Sequence, residues 1–184
     1  MVLDKDNARV MLRMKQVGYF ESPIGVYEIR ADDDGVTRIH LQGNATEVME
    51  ESKNLDPQSR STRHIKECIT WMDAYFSNSP LQKVKVPPLN TQGYELSKPF
   101  CYRVWEILKV QVKAGETITY GELANMAGNP KGARAVGMAM KTNPIPIIIP
   151  CHRVIKSSGD LGNYSSYNGV ATKKWLLQHE NAIN

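Results

Sequence analysis

"TYGELANMAGNPKGARAVGMAMKTN", residues 119–143, holds two short helical patterns separated by a stop. Thr119 followed by Glu122 has the spacing of a capping box, in which each side chain satisfies the other's backbone N–H. A helix is therefore predicted to begin at about Tyr120. It has room for two turns before Gly128-Asn129-Pro130. Gly128 suits a left-handed exit, Asn129 the next N-cap and Pro130 the first helical position. A second helix then runs to about Thr142. Helix, tight turn and helix together predict a helix-turn-helix.

The second helix has few groups that read base edges. Its charges are Lys131, Arg134 and Lys141, and the rest is mostly Gly, Ala and Met. Small residues such as Ala133, Ala135 and Gly137 let a backbone approach its target closely. That composition suits minor-groove docking with one long side chain as an anchor. It equally suits tight packing between helices, and composition alone leaves both open.

Moving towards the N-terminus, Ser97-Lys98-Pro99 opens a predicted helix with Val104, Trp105, Leu108 and Val112 on one face, stopped by Gly115. Cys101, one turn earlier, is assigned to the same core. The Pro-rich VKVPPLNTQG, 84–93, is the predicted boundary between a domain over 1–90 and one over 91–184. In the first domain, short runs of Val, Tyr, Phe and Ile broken by Ser22-Pro23-Ile24-Gly25 and Asp33-Asp34-Gly35 predict three antiparallel strands. Residues 44–60 are polar and aperiodic, a predicted surface loop. From about Ser61 to Phe76, Ile65, Cys68, Ile69, Met72 and Phe76 recur at helical spacing, which makes Cys68 a packing residue. The fold class is α/β: an N-terminal antiparallel-sheet α/β domain, then a mostly helical C-terminal domain with a winged-helix-like helix-turn-helix.

Composition bounds the partners. An apolar fraction of 41% supports a core. No apolar run approaches the ~20 residues of a membrane helix, so no membrane partner is expected. The N-terminal MVLDKDNARVMLRMK lacks the apolar stretch of a secretory signal. Three widely spaced cysteines argue against a disulfide framework and for a reducing, intracellular setting: the nucleus in a eukaryote, the cytoplasm otherwise. Residues 1–90 carry 12 Lys+Arg against 13 Asp+Glu, and residues 91–184 carry 11 against 6. The basic half is compatible with nucleic acid.

The chemistry gathers in IIIPCHRVIK, 147–156. Only a thiolate is a good nucleophile, and making one near neutrality needs a base or a positive field. His152 is that candidate base for Cys151. A histidine in that role needs a partner to fix its tautomer, and Glu180 is the sole acidic residue after Asp160. The predicted relay runs Glu180–His152–water–Cys151. The following SSGDLGNYSSYNG, 157–169, has the polar, flexible composition of a ligand loop.

IPCHRVI, with GNPKGARAVGMAM before it and GNYS and WLLQHE after it, resembles the O6-alkylguanine-DNA alkyltransferases. The likeness is dense from about Phe100 to Glu180, and the SPIG turn and TWMDAYF helix agree in the N-terminal half. It implies a repair protein that flips O6-alkylguanine out of duplex DNA and moves the alkyl group irreversibly to Cys151. It further implies His152 as base, Glu180 as its orienter, Tyr120 as donor to the guanine, and Asn143 as a tie between the two motifs. Arg134 becomes a finger that fills the vacated stack, with Lys131, Ala133, Ala135 and Gly137 along the same DNA-binding helix. Val154 and Tyr164 offer carbonyls to the base, Ser165 a donor, and Met140 and Tyr164 pocket walls. Flipping is a physical necessity, because a thiolate does not reach the alkylated oxygen inside the stack.

No diffusible cofactor is expected, and the partner is double-stranded DNA bound from the minor groove by a monomer, with cooperative assembly left open. In two places the chain departs from the pattern. The loop over 165–170 is longer than the family's usual version. The N-terminal half has only Cys68, His40 and His64, without the paired spacing of the structural zinc site that some members hold. The alternative function is a non-catalytic protein that binds alkylation damage. A thiol hydrolase and an operator-binding regulator are the other classes; each leaves part of the pattern without a use.

Overall fold

The computed structural model of the protein describes residues 16–43 and 56–184. The chain forms two compact units, Met1–Asn90 and Thr91–Asn184.

The first unit is a meander of β1 (Gln16–Ser22), β2 (Gly25–Asp32) and β3 (Gly35–Leu41), paired antiparallel in sequence order. Both turns follow from their residues. In the first, Ser22 Oγ donates to Gly25 O at 2.6 Å and accepts from Ile24 N at 3.2 Å. In the second, Asp32 Oδ1 accepts from the backbone N–H of Asp34 and Gly35, the local bonding that makes Asp a turn former. The α1 helix (Arg60–Phe76) packs on this sheet through Ile65, Cys68 and Met72, all fully buried. Burial pushes the Cys68 thiol up to about 12, so it stays a neutral packing group. The connection then lies along β3, where Val36 N–H bonds Pro88 O and Asn90 N–H bonds Val36 O. Of the predicted loop over 44–60, residues 44–55 lie outside the described residues.

The second unit is helical: α2 (Gln92–Ser97), α3 (Pro99–Gln111), α4 (Tyr120–Met126), α5 (Ala133–Lys141) and α6 (Val170–His179). Pro99 opens α3 at a position where its missing N–H costs nothing. Val104, Trp105 and Leu108 are buried, and Trp105 Nε1 donates to Ala139 O at 2.8 Å, tying α3 to α5. Cys101 is half-buried rather than in that core, because it sits in the first turn of α3.

The capping box forms as expected. Thr119 Oγ1 accepts from Glu122 N–H at 3.2 Å, and Glu122 Oε2 accepts from Thr119 N–H at 2.8 Å. Gly128 takes φ +77°. The second helix starts later than predicted, at Ala133 with Gly132 as its N-cap. Asn129 and Pro130 instead head a tight turn closed by Gly132 N–H to Asn129 O at 2.8 Å. Asn, Pro and Gly at the first, second and fourth turn positions are the residues such a turn selects. A Cβ on Gly132 would lie 2.6 Å from Asn129 Nδ2, so the turn closes only around glycine.

Two elements left no pattern in the sequence. β4 (Ile118–Thr119) and β5 (Val154–Ile155) pair in parallel, Ile118 opposite Val154 and Thr119 opposite Ile155. This pairing sets the first residue of α4, Tyr120, close to the segment that carries Cys151.

Candidate active site

Residues 143–153 approach the site through a chain of short-range bonds. Asn143 Nδ2 donates to Ile149 O at 2.7 Å, and Asn143 Oδ1 accepts from Ile145 N–H at 3.0 Å. Inside this clamp Ile147 is buried with φ +73°, a conformation that costs a β-branched residue about 1–3 kcal/mol. Cys151 follows on a 3-10 turn, Cys151–Arg153, with its N–H bonded to Ile149 O at 2.8 Å.

Cys151 is 6% exposed and lies on a cavity of about 650 Å³. Tyr120 enters that cavity from the head of α4. Ala133, Arg134, Gly137, Met140 and Lys141 line it from α5, and Tyr164 and Ser165 from the polar loop. Tyr164 Oη is 4.0 Å from Cys151 Sγ. Lys156 also lines it, as do Gly162 and Asn163 from the predicted ligand loop. Lys131 and Ala135 belong to the same turn-and-helix but stand off the cavity wall, Lys131 exposed and Ala135 half-buried. The lengthened loop folds as a turn, Gly169 N–H to Ser166 O at 2.9 Å, leading into α6. Its extra residues point away: Tyr167 is 43% exposed and is not part of the lining.

Behind the cysteine lies a buried charged network. His152 is fully buried, with Nε2 2.8 Å from Glu180 Oε1. Arg153 grips the same carboxylate, Nε to Oε2 and Nη2 to Oε1, each at 2.8 Å, and donates through Nη1 to Val112 O at 2.6 Å. Arg153 had no assigned part in the sequence reading. Burial works to raise the Glu180 carboxyl, but the hydrogen bonds and charges of His152 and Arg153 outweigh it and hold it well below the usual carboxylate range. Burial likewise lowers the His152 imidazole, against the pull of Glu180. The ring is therefore neutral at physiological pH. A neutral ring donating from Nε2 to the carboxylate leaves Nδ1 as the acceptor, and that atom is buried without a protein partner.

Lys173 is the second surprise. Its Nζ donates to the backbone carbonyls of Val154 and Leu161. It is 1% exposed, and burial brings its ammonium down to about 8, with the neighbouring Cys151 opposing. Burial also raises the Cys151 thiol, opposed by hydrogen bonds from Asn143 and Tyr164 and by the Lys173 charge. The Tyr120 phenol is raised by burial and by Cys151, so it keeps its proton. The signal for Lys173 was its place in the apolar stripe of α6, between Thr172 and Leu176, where a solvated lysine has no reason to be.

Chemically, a cysteine sulfur and two phenols line the cavity, and an oriented neutral imidazole lies buried behind the sulfur's turn. Among the described residues no three His, Cys, Asp or Glu side chains come together as a metal site.

Both units match family models. Residues 99–182 match the DNA-binding domain of 6-O-methylguanine DNA methyltransferase, and residues 16–87 its ribonuclease-like domain. The human methylated-DNA–protein-cysteine methyltransferase is 41% identical over 163 residues, covering 87% of this chain and 77% of the human one. Its namesake from Methanosarcina acetivorans is 38% identical over 162 residues, covering 88% and 95%. The crystal structure of the Mycobacterium tuberculosis O6-methylguanine methyltransferase superposes with a TM-score of 0.70 at 31% identity, covering 92% and 94%. The same bacterium's protein in complex with DNA gives 0.69 at 32% identity, covering 89% and 91%. Matched across both units, this chain belongs to the 6-O-methylguanine DNA methyltransferase family and repairs alkylated DNA by transferring the alkyl group to a cysteine of its own.

Proposed function

We propose that the acceptor is Cys151 and that the unit over 91–184 carries both DNA binding and transfer. One observation carries this reading: of the three cysteines, Cys151 alone lines the cavity, while Cys68 is sealed in the sheet unit and Cys101 lies off the cavity on α3. The same observation disfavours a non-catalytic damage binder, which has no use for a thiol at the cavity floor.

The geometry supports a sequence of steps. An O6-alkylguanine rotated out of the duplex enters between Tyr120 and the loop bearing Tyr164 and Ser165, with Met140 as an apolar wall. Burial keeps the thiol protonated at rest, so the site makes its thiolate on demand. The proton goes to His152 Nδ1 through a bridging water. Arg153 supports this by neutralising Glu180, which leaves the imidazole uncharged and ready to accept. Sγ attacks the alkyl carbon, the carbon–O6 bond breaks, and its electron pair leaves with guanine while Tyr120 donates to the departing base. The thioether product has no hydrolytic route back at neutral pH, so each molecule reacts once. Asn143 holds the 143–151 loop in register with the end of α5, and Lys173 fixes the Val154 carbonyl at the height where a guanine amine meets it.

On the DNA side, α4 and α5 act as a helix-turn-helix used from the minor groove in the manner of a winged helix. Ala133, Ala135 and Gly137 allow close approach, Arg134 enters the stack, and Lys131 binds phosphate. The protein acts as a monomer. The test is intact-mass analysis and peptide mapping after incubation with a duplex containing one O6-methylguanine. A single added methylene on Cys151 is expected; addition to Cys101 or Cys68, or none, overturns the assignment.

A further inference from the structure

The α5 helix buries Val136 and Ala139 against the rest of its unit and exposes Arg134, Met138 and Lys141. On a 3.6-residue period these three lie within about 60° of one another, one stripe along the helix. Ala133, Ala135 and Gly137 project nothing long, and the other methionine of the helix, Met140, turns into the cavity wall. Arg134 and Lys141 reach round to the cavity, whereas Met138 is 55% exposed and lies on the side of Arg134 away from it. A lone exposed apolar side chain ordinarily calls for no explanation. This one stands between two cations on the helix that forms the cavity wall, in a half of the chain with 11 Lys+Arg against 6 Asp+Glu.

A surface built that way matches one partner. Cations meet phosphates, and a flexible thioether between them meets sugar faces and base edges, the apolar lining of a minor groove. Minor-groove proteins insert apolar wedges, methionine among them, between base steps.

We propose that Met138 is a second duplex contact, an apolar wedge beside Arg134 that seats against the base step next to the one opened for flipping. It strengthens binding to the duplex and takes no part in the chemistry. The inference rests on α5 being the docking helix.

The test compares Met138→Gln, Arg134→Ala and Lys131→Gln with the parent. Gln has nearly the length and helix propensity of Met, so folding is preserved. Duplex affinity is read by fluorescence anisotropy over a salt series, and the chemistry by the rate of reaction with free O6-benzylguanine. Met138→Gln is expected to bind duplex roughly tenfold more weakly. Its salt slope stays that of the parent, since no phosphate contact is lost, while Lys131→Gln lowers the slope by about one. The free-base rate of Met138→Gln equals the parent's. Unchanged affinity for Met138→Gln with weakened Arg134→Ala overturns the wedge and leaves the docking helix standing. Unchanged affinity for Arg134→Ala overturns the docking helix and the wedge with it. A parent that does not react with the free base or with alkylated duplex overturns Cys151 as acceptor.

Discussion

In the first unit the buried carboxylates bind neutral groups and a half-exposed arginine. Glu28 meets Arg30 two residues on and Gln42 just past the end of the neighbouring strand β3, and Asp32 closes its own turn and takes Asn90 Nδ2 at 2.8 Å. In the second unit Glu180 joins His152 and Arg153 from 28 and 27 residues away, and Arg153 reaches Val112 across 41. The first arrangement shapes turns and strand edges. The second holds a histidine, an arginine and a carboxylate out of water, an arrangement that breaks badly when one member is removed. The difference teaches where this chain has placed stability at the service of chemistry.

The sharpest break is at the nucleophile. Cys151→Ser is expected to abolish transfer altogether, with duplex binding retained; mass analysis and anisotropy on the same preparation check it. Next comes the network. Glu180→Gln leaves Arg153 buried beside a neutral acceptor and is expected to destabilise the second unit by about 3–5 kcal/mol, whereas Glu28→Gln in the first unit is expected to cost about 1 kcal/mol. Urea unfolding followed through Trp105 for the second unit and Trp71 for the first separates the two, since each is buried in its own unit. Equal losses in both would remove the contrast.

Acid should then divide the units. Both His152 and Glu180 are held below their ordinary values, so the unfolded chain binds more protons than the native one. The stability they contribute is present above their unfolded values and is lost as pH falls, from about 6.5 for the histidine and from about 4.3 for the carboxylate. The Trp105 transition should therefore weaken already between pH 6.5 and 5, and a transition that holds steady down to pH 5 contradicts the network. Smallest is a glycine pair on one helix. Gly132→Ala crowds the Asn129 turn and should cost about 1–2 kcal/mol. Gly137→Ala meets nothing within 4 Å and should stabilise α5 by about 0.5–1 kcal/mol, yet bind duplex less well through its new methyl on the cavity face. Thermal melts and anisotropy read the two effects apart.

Much of this was legible in the chain. The strands, α1 and α4 follow from apolar periods and turn residues that act over a few positions. Cys151, His152 and Glu180 were found together because their spacing and the surrounding motif agree. What escaped was long-range or ambiguous. Asn129 and Pro130 suit both a helix start and a tight turn, and only the closure onto Gly132 decides between them. Arg153 and Lys173 look like solvated charges until backbone carbonyls from distant segments meet them. Two-residue strands are too short for any period to reveal.

That last feature has a kinetic side. The β4–β5 pairing joins Ile118 to Val154, 36 positions apart along the chain. The helices around it close over a few residues each and form quickly, while a contact at that separation waits on loop closure. Refolding should thus restore helical circular dichroism before it restores reactivity towards O6-benzylguanine, with a helical but inert species in between, its phenol and its sulfur not yet brought together.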